Sequence, residues 1–169
     1  MLEYLSHFGK ILVSGPQRSG TRLMSKILAH DFGYIYVDEE DLGIDSVARM
    51  RQSLALPFKM VFQCPALCYC IETFSAPDIA IVYMERSTED IIASEKRIGW
   101  NDNTEREHYN AGDVDMPIAE IKWLWWEKIQ REMIHNPFTI VYGYLSQHPL
   151  WIPKEERVNF KWNQTERGE

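Results

Sequence analysis

The sequence predicts a three-layer α/β fold, in which helices cover both faces of a five-stranded parallel sheet. Five apolar runs of strand length alternate with segments of helical periodicity along the chain. The run at 79–84 is continuously apolar, as expected for a strand that is buried on both faces. Because crossover connections join strands that alternate with helices, we expect these strands to run parallel.

The order of the elements follows from their flanking residues as well as from their periodicity. Ser87 and Asp90 have the spacing of a capping box and begin a helix. Pro117 and Pro137 bound a longer helix. The predicted strands are 10–14, 34–37, 58–62, 79–84 and 138–142. The predicted helices are 21–30, 66–74, 87–98 and 117–135.

The chain of 169 residues is predicted to form a single domain over 1–169. Residues 99–116 are polar and lack periodicity, which indicates a surface loop. A loop of this length inside a compact domain is typical of a lid or a binding segment. From about residue 148 the sequence is polar with aromatic anchors, which predicts an irregular tail along the surface.

The charge balance disfavours two classes of partner. The 18 basic and 25 acidic residues give a net charge of −7, which opposes non-specific binding to nucleic acid or to an anionic membrane. No apolar run approaches the roughly 20 residues that cross a bilayer. The start of the sequence also lacks the order of a signal peptide. We therefore expect a small-molecule substrate, and no nucleic-acid or membrane partner.

The cysteines indicate a reducing compartment. Cys64, Cys68 and Cys70 are crowded into seven positions, which is not a disulfide framework. No histidine lies nearby to complete a metal site. We interpret the three thiols as small hydrophobic groups of the core and expect a cytoplasmic protein.

A glycine-containing loop follows the first predicted strand and precedes the first predicted helix. Gly15 and Gly20 have the spacing of a P-loop, in which backbone N–H groups and a helix N-terminus bind phosphate. The alternative is a turn that binds no ligand. The candidate ligand-binding residues of this loop are Gly15, Gln17, Arg18, Ser19, Gly20, Thr21 and Arg22.

The loop departs from an ATP-binding P-loop at the positions that serve phosphate and magnesium. Thr21 and Arg22 stand where Lys and then Ser or Thr are expected. The third predicted strand also ends without an acidic residue that would hold magnesium. We therefore expect no metal, and we expect Arg18 and Arg22 to supply the positive charge.

Residues 15–21, Gly-Pro-Gln-Arg-Ser-Gly-Thr, resemble the phosphosulfate loop of sulfotransferases that use 3′-phosphoadenosine 5′-phosphosulfate (PAPS). In that family an Arg after a strand and a Ser eight residues later bind the 3′-phosphate, and Arg86 and Ser94 match this pattern. The resemblance covers roughly residues 10–100. It implies that PAPS is the co-substrate and that Arg18 stabilises the charge that develops at the sulfuryl group. In a sheet of order 2-3-1-4-5, Arg86 would emerge beside the loop.

The general base is less clearly marked. Cytosolic sulfotransferases have a His at the place of Gln63, and an amide cannot accept the proton. Other branches of the family use a carboxylate after the second strand, where Asp38, Glu39 and Glu40 stand. We select Glu39, and the alternative is a solvated acidic loop.

Three functions are consistent with these residues. The first is transfer of a sulfuryl group from PAPS to an acceptor hydroxyl or amine. The second is a P-loop kinase of a small metabolite or nucleotide, and the third is a non-catalytic nucleotide-binding module. The sequence does not fix the acceptor or the oligomeric state.

Overall fold

The sheet has five parallel strands in the order β2-β3-β1-β4-β5, as predicted. The computed structural model describes residues 2–44, 46–99, 116–132 and 134–152. The predicted loop at 99–116 therefore lies almost wholly outside the described residues, as does the tail beyond 152. The strands are β1 (Lys10–Ser14), β2 (Ile35–Val37), β3 (Met60–Gln63), β4 (Ile79–Glu85) and β5 (Pro137–Val141).

The described helices lie between these strands and after the last of them. The α-helices are α1 (Thr21–Phe32), α2 (Glu39–Leu42), α3 (Val47–Leu54), α4 (Thr88–Arg97) and α5 (Ile118–Ile129). The 3₁₀-helices are Glu3–His7, Pro65–Phe74 and Tyr142–Gln147. Within the described residues, no helix is long and apolar enough to cross a membrane.

Two apolar cores lie on opposite faces of the sheet, because successive strand residues point to opposite sides. Leu12 packs on one face with the 3₁₀-helix 65–74 and α5. Ile11 and Val13 pack on the other face with α1. All three side chains are fully buried, which gives the three-layer arrangement that the sequence predicts.

Several predicted helices differ from the observed ones. Residues 65–74 form a 3₁₀-helix rather than an α-helix, and Cys70 interrupts it with non-helical backbone angles. The long helix ends at Ile129 instead of 135. The short helices α2 and α3 were not predicted, because α2 has only four residues and Met50 is the one fully buried side chain of α3.

The cysteines are free thiols, as expected. Cys64 and Cys68 are buried in the core, and Cys70 is partly exposed. Burial raises the pKa of all three thiols, so the neutral form dominates.

The strand order determines which segments meet at the carboxyl edge of the sheet. β1 lies between β3 and β4, with Val13 beside Gln63 and Ser14 beside Tyr83. The loop 15–20 therefore leaves the sheet between the segment that follows β3 and the segment that follows β4. Ligands of open parallel sheets bind at this edge.

Candidate anion-binding site

The loop 15–20 has a backbone conformation that requires its two glycines. Gly15 and Gly20 have φ values of 132° and 100°, which other residues rarely adopt. A Cβ on Gly15 would lie 3.0 Å from the carbonyl oxygen of Met84, and one on Gly20 would lie 2.5 Å from the ring of Tyr142. Both positions therefore exclude a side chain. Gly20 is also the N-cap of α1, so the positive end of the helix dipole faces the loop.

Two side-chain contacts hold the middle of the loop. The buried hydroxyl of Ser19 donates to the carbonyl oxygen of Pro16 at 2.6 Å. Arg18 has a φ of 65°, which is uncommon for a residue with a Cβ. Arg86 Nη1 donates to the Arg18 carbonyl oxygen at 2.9 Å and so stabilises this turn.

Arg18 and Ser94 meet on the β4 side of the loop. Arg18 Nε donates to Ser94 Oγ at 3.1 Å, and Arg97 Nη2 donates to the same oxygen at 3.1 Å. Partial burial lowers the pKa of Arg18, and the charges of Arg97, Arg86 and Arg22 lower it further. Within the described residues, no carboxylate forms an ion pair with Arg18 or Arg97. The charge of Glu95 opposes these effects on Arg18, so this side of the loop is a cationic cluster that its carboxylates neutralise only in part.

Arg86 is fixed by contacts on several sides. Its guanidinium lies over the ring of Tyr142, with 4.2 Å between the guanidinium carbon and the ring centroid. Asp90 Oδ2 lies 3.9 Å from Nε, which is buried and has no hydrogen-bond partner among the described residues. Because the ring of Tyr142 also contacts Gly20, it links the guanidinium to the start of α1.

The charges on the β3 side of the loop are paired. Arg22 contacts Asp38 through Nε at 3.1 Å and Nη2 at 3.2 Å, and Glu40 at 3.3 Å. The Tyr36 hydroxyl also donates to Asp38 at 2.6 Å. Burial acts to lower the pKa of Arg22, but the charges of Asp38, Tyr36 and Glu40 together with the hydrogen bond to Asp38 outweigh it, and the pKa is raised. The Arg22 guanidinium is therefore paired with the carboxylates of the acidic turn and does not join the cluster around Ser94.

Glu39 is held by an amide at the end of β3. Its backbone N–H donates to Gln63 Oε1, and Gln63 Nε2 donates back to Glu39 Oε1, both at 3.3 Å. Gln63 Nε2 also lies 3.5 Å from Thr21 Oγ1. Burial raises the pKa of Glu39, which the hydrogen bond from Gln63 only partly offsets. The second carboxylate oxygen, Oε2, is buried without a hydrogen-bond partner among the described residues.

Three contributors to this site were missed at the sequence level: Gln63 as the support of Glu39, Arg97 as the second donor to Ser94, and Lys122. Lys122 lies on α5, is buried, and donates through its ammonium to Gln17 Oε1 in the loop. A capping box and an eight-residue spacing are local patterns. The contact of Lys122 with Gln17 joins residues 105 positions apart, and no local pattern indicates it.

A cavity of about 200 Å³ opens at the same edge, between the end of β4 and α5. It is somewhat larger than the roughly 150 Å³ cavity that holds one benzene ring. Its lining includes residues of the loop, β4 and α5, among them Pro16, Glu85, Arg86, Glu120 and Trp123. A ring-sized group therefore fits beside Arg86.

The candidate metal ligands among the described residues lie at the opposite end of α1 from the loop. They are His30, Asp31 and His148. His148 Nδ1 accepts the backbone N–H of Leu150, so Nε2 carries the proton of the neutral ring and donates to Asp31 at 3.1 Å. This tautomer leaves Nε2 without a lone pair for a metal, and the cluster ties the segment after β5 to α1.

Solved structures of two kinases resemble this fold. One is shikimate kinase from Acinetobacter baumannii in complex with shikimate, with a TM-score of 0.51 and 16% identity over 82% of this chain and 86% of that chain. The other is deoxyadenosine kinase from M. mycoides with dCMP and dCDP bound, with a TM-score of 0.50 and 11% identity over 79% of this chain and 91% of that chain. The chain has a P-loop kinase-like fold. No model of a protein family matches the chain, and no curated protein matches it either.

The two neighbours confirm the fold that the sequence predicts. At these identities the likeness carries the fold alone, since one fold hosts many chemistries. Neither neighbour is a sulfotransferase, so the PAPS-dependent activity remains an interpretation of the site residues.

Proposed function

We propose that this protein binds PAPS and transfers its sulfuryl group to a hydroxyl or amine of a small-molecule acceptor. The observation that carries the proposal is the direct contact between Arg18 and Ser94. It supports two adjoining anion sites, one in the loop and one beside Arg86. A donor with phosphate groups at both its 5′ and 3′ positions needs two such sites.

Each group of the loop edge has a role in this proposal. The backbone N–H groups of the loop, with Ser19 and Thr21, hold the 5′-phosphosulfate. Arg18 stabilises the charge that develops on the bridging oxygen as the sulfur–oxygen bond breaks. Arg86 and Ser94 hold the 3′-phosphate. The products are the sulfated acceptor and 3′-phosphoadenosine 5′-phosphate (PAP).

Glu39 is the proposed general base. As the acceptor oxygen or nitrogen bonds to sulfur, its proton passes to the Glu39 carboxylate. Burial raises the pKa of this group toward neutral pH, where a base is most effective. Gln63 acts as a positioning residue, because its amide donates to Oε1 of this carboxylate and so fixes its orientation.

The second candidate is a P-loop kinase of a small metabolite or nucleotide, and the two kinase structures of similar fold favour it. Such an enzyme needs Mg²⁺ beside the phosphates. The Asp38 carboxylate, which directly follows β2, is already bound by Arg22 and Tyr36. Thr21 and Arg22 also replace the Lys and the hydroxyl residue of an ATP-binding loop. These contacts favour the metal-free donor.

Thermal shift with two ligand mixtures, followed by a transfer assay, separates the candidates. We expect PAP in EDTA to raise Tm, since a ligand at 100 times its Kd adds about 2.7 kcal/mol of stability. Stabilisation by magnesium-ATP alone would support the kinase and contradict the proposal. PAP binding with no transfer from PAPS to a broad panel of hydroxyl and amine acceptors would support the non-catalytic module.

Ligand binding is expected to be independent of magnesium. Arginine side chains take the place of the metal at this loop edge, so the Kd of PAP is expected to be equal in magnesium and in EDTA. Isothermal titration calorimetry under both conditions measures this. An affinity that is lost on chelation would contradict the site as we describe it.

A further inference from the structure

Arg97 ends α4 and reaches back to Ser94. Its Nη2 donates to Ser94 Oγ at 3.1 Å, and Arg18 Nε donates to that oxygen at the same distance. A hydroxyl oxygen has two acceptor sites and one proton. The two guanidinium groups occupy the acceptor sites, so the proton of Ser94 remains to be donated to a third partner.

The surroundings of this hydroxyl are strongly cationic. Arg86 joins the cluster through its bond to the Arg18 carbonyl oxygen. Two described carboxylates act on this cluster: Asp90 Oδ2 lies 3.9 Å from Arg86 Nε, and the charge of Glu95 acts to raise the pKa of Arg18. Three guanidinium groups held this close repel one another unless an anion lies between them. Guanidinium forks together with one hydroxyl donor match the oxygens of a phosphate monoester.

We propose that Arg97 is a third phosphate-binding residue, which acts with Arg86 and Ser94 to select ligands that carry a 3′-phosphate. This inference rests on the proposed function, because it assigns the second anion site to the 3′-phosphate of PAPS. It adds a specificity-determining residue that neither the sequence motif nor the spacing of Arg86 and Ser94 indicates.

The competing explanation for Arg97 is the helix itself. A cation in the last turn of a helix is stabilised by the negative end of the helix dipole. Lys96 precedes Arg97 in the same turn, is also exposed, and is positively charged. It is therefore a matched control, because its removal also takes one positive charge from the last turn of α4.

The test measures the Kd values of PAP and of adenosine 5′-phosphate, which lacks the 3′-phosphate. Isothermal titration calorimetry is run in EDTA at constant ionic strength on the parent, Arg97→Ala, Arg97→Lys and Lys96→Ala. We expect Arg97→Ala to raise the Kd of PAP by roughly 10- to 150-fold. The Kd of adenosine 5′-phosphate should change by less than about threefold. Arg97→Lys should retain part of the affinity for PAP. Lys96→Ala should change the Kd of each ligand by less than about threefold.

Three other outcomes would overturn the inference. Equal losses for the two ligands in Arg97→Ala would place Arg97 at the loop instead of the 3′-phosphate. Equal effects of Arg97→Ala and Lys96→Ala on the Kd of PAP would mean that Arg97 acts only through the helix dipole and the net charge. A parent that binds PAP no more tightly than adenosine 5′-phosphate would overturn the PAPS assignment as well. The third failure appears in the parent and the first two only in the variants, so the failures are distinguishable.

Discussion

The two sides of the loop 15–20 differ in how their charged groups are paired. On the β3 side, Arg22 is paired with Asp38 and Glu40, and an amide holds Glu39. On the β4 side, the guanidinium groups of Arg18 and Arg97 converge on one hydroxyl with no carboxylate paired to either among the described residues. Both sides leave the same edge of one sheet.

The β3 side has its charges paired within the protein, whereas the β4 side has an excess of positive charge that a bound anion would neutralise. An ion pair such as Arg22 with Asp38 neutralises its own charge and fixes the acidic turn in place. The cluster around Ser94 has three guanidinium groups against the charges of Asp90 and Glu95, so a bound anion adds attraction there. In the proposed function, ligand phosphate therefore binds on the β4 side, and the β3 side positions the base.

The largest expected effect comes from the unpaired cation of the loop. Arg18→Ala should lower the rate of PAP formation from PAPS roughly 100- to 1,000-fold, because it removes a donor to the developing charge. Arg22→Ala should lower it less, because Asp38 already neutralises that guanidinium. Both rates are measured with one acceptor on variants whose circular dichroism matches the parent. A greater loss of rate in Arg22→Ala than in Arg18→Ala would contradict the assignment of the catalytic cation to Arg18.

The next effect concerns the base on the paired side. Glu39→Gln keeps the shape of the side chain and removes the proton acceptor, so turnover should fall roughly 100-fold or more with the Kd of PAP unchanged. Glu40→Gln is the control, because the Glu40 side chain is largely exposed and forms an ion pair with Arg22 at the edge of the turn. If Glu39→Gln is as active as the parent, the base lies elsewhere in the acidic turn.

The smallest effect is on stability. Burial raises the pKa of Glu39 in the folded state, so its carboxyl favours folding most below the unfolded pKa of about 4.3. That contribution is lost as the pH rises through the folded pKa. Glu39→Gln should therefore have a higher Tm than the parent at neutral pH, where each kcal/mol shifts Tm by roughly 2–4 °C. The difference should shrink as the pH falls to about 4, and a gain of equal size at every pH would contradict a buried, ionisable Glu39.

Local patterns were sufficient to predict the fold. The apolar runs of β1 and β4 determine which segments are buried, and the spacing of Gly15 and Gly20 determines where the chain turns at the edge of the sheet. The start of α2 also had a local signal, because Asp38 and Asp41 form a reciprocal capping box. It was interpreted only as an acidic stretch.

Contacts between distant elements were not predictable in the same way. The sequence placed Arg18, Arg86 and Ser94 at one edge, but it gave no reason for Arg22 to pair with Asp38. The support of Glu39 by Gln63 depends on the register of β2 with β3. The approach of Lys122 to Gln17 depends on how α5 packs. These contacts follow from tertiary packing, which periodicity does not determine.

The most direct test of the central claim is the ligand selectivity of Arg86→Ala. Its Kd is measured for PAP and for adenosine 5′-phosphosulfate, which has no 3′-phosphate. Because Arg86 also holds the Arg18 carbonyl oxygen, both affinities should fall. We expect the loss for PAP to exceed the loss for adenosine 5′-phosphosulfate by about tenfold or more, the value of a charge-assisted contact. Equal losses for the two ligands would contradict a second phosphate site on the β4 side.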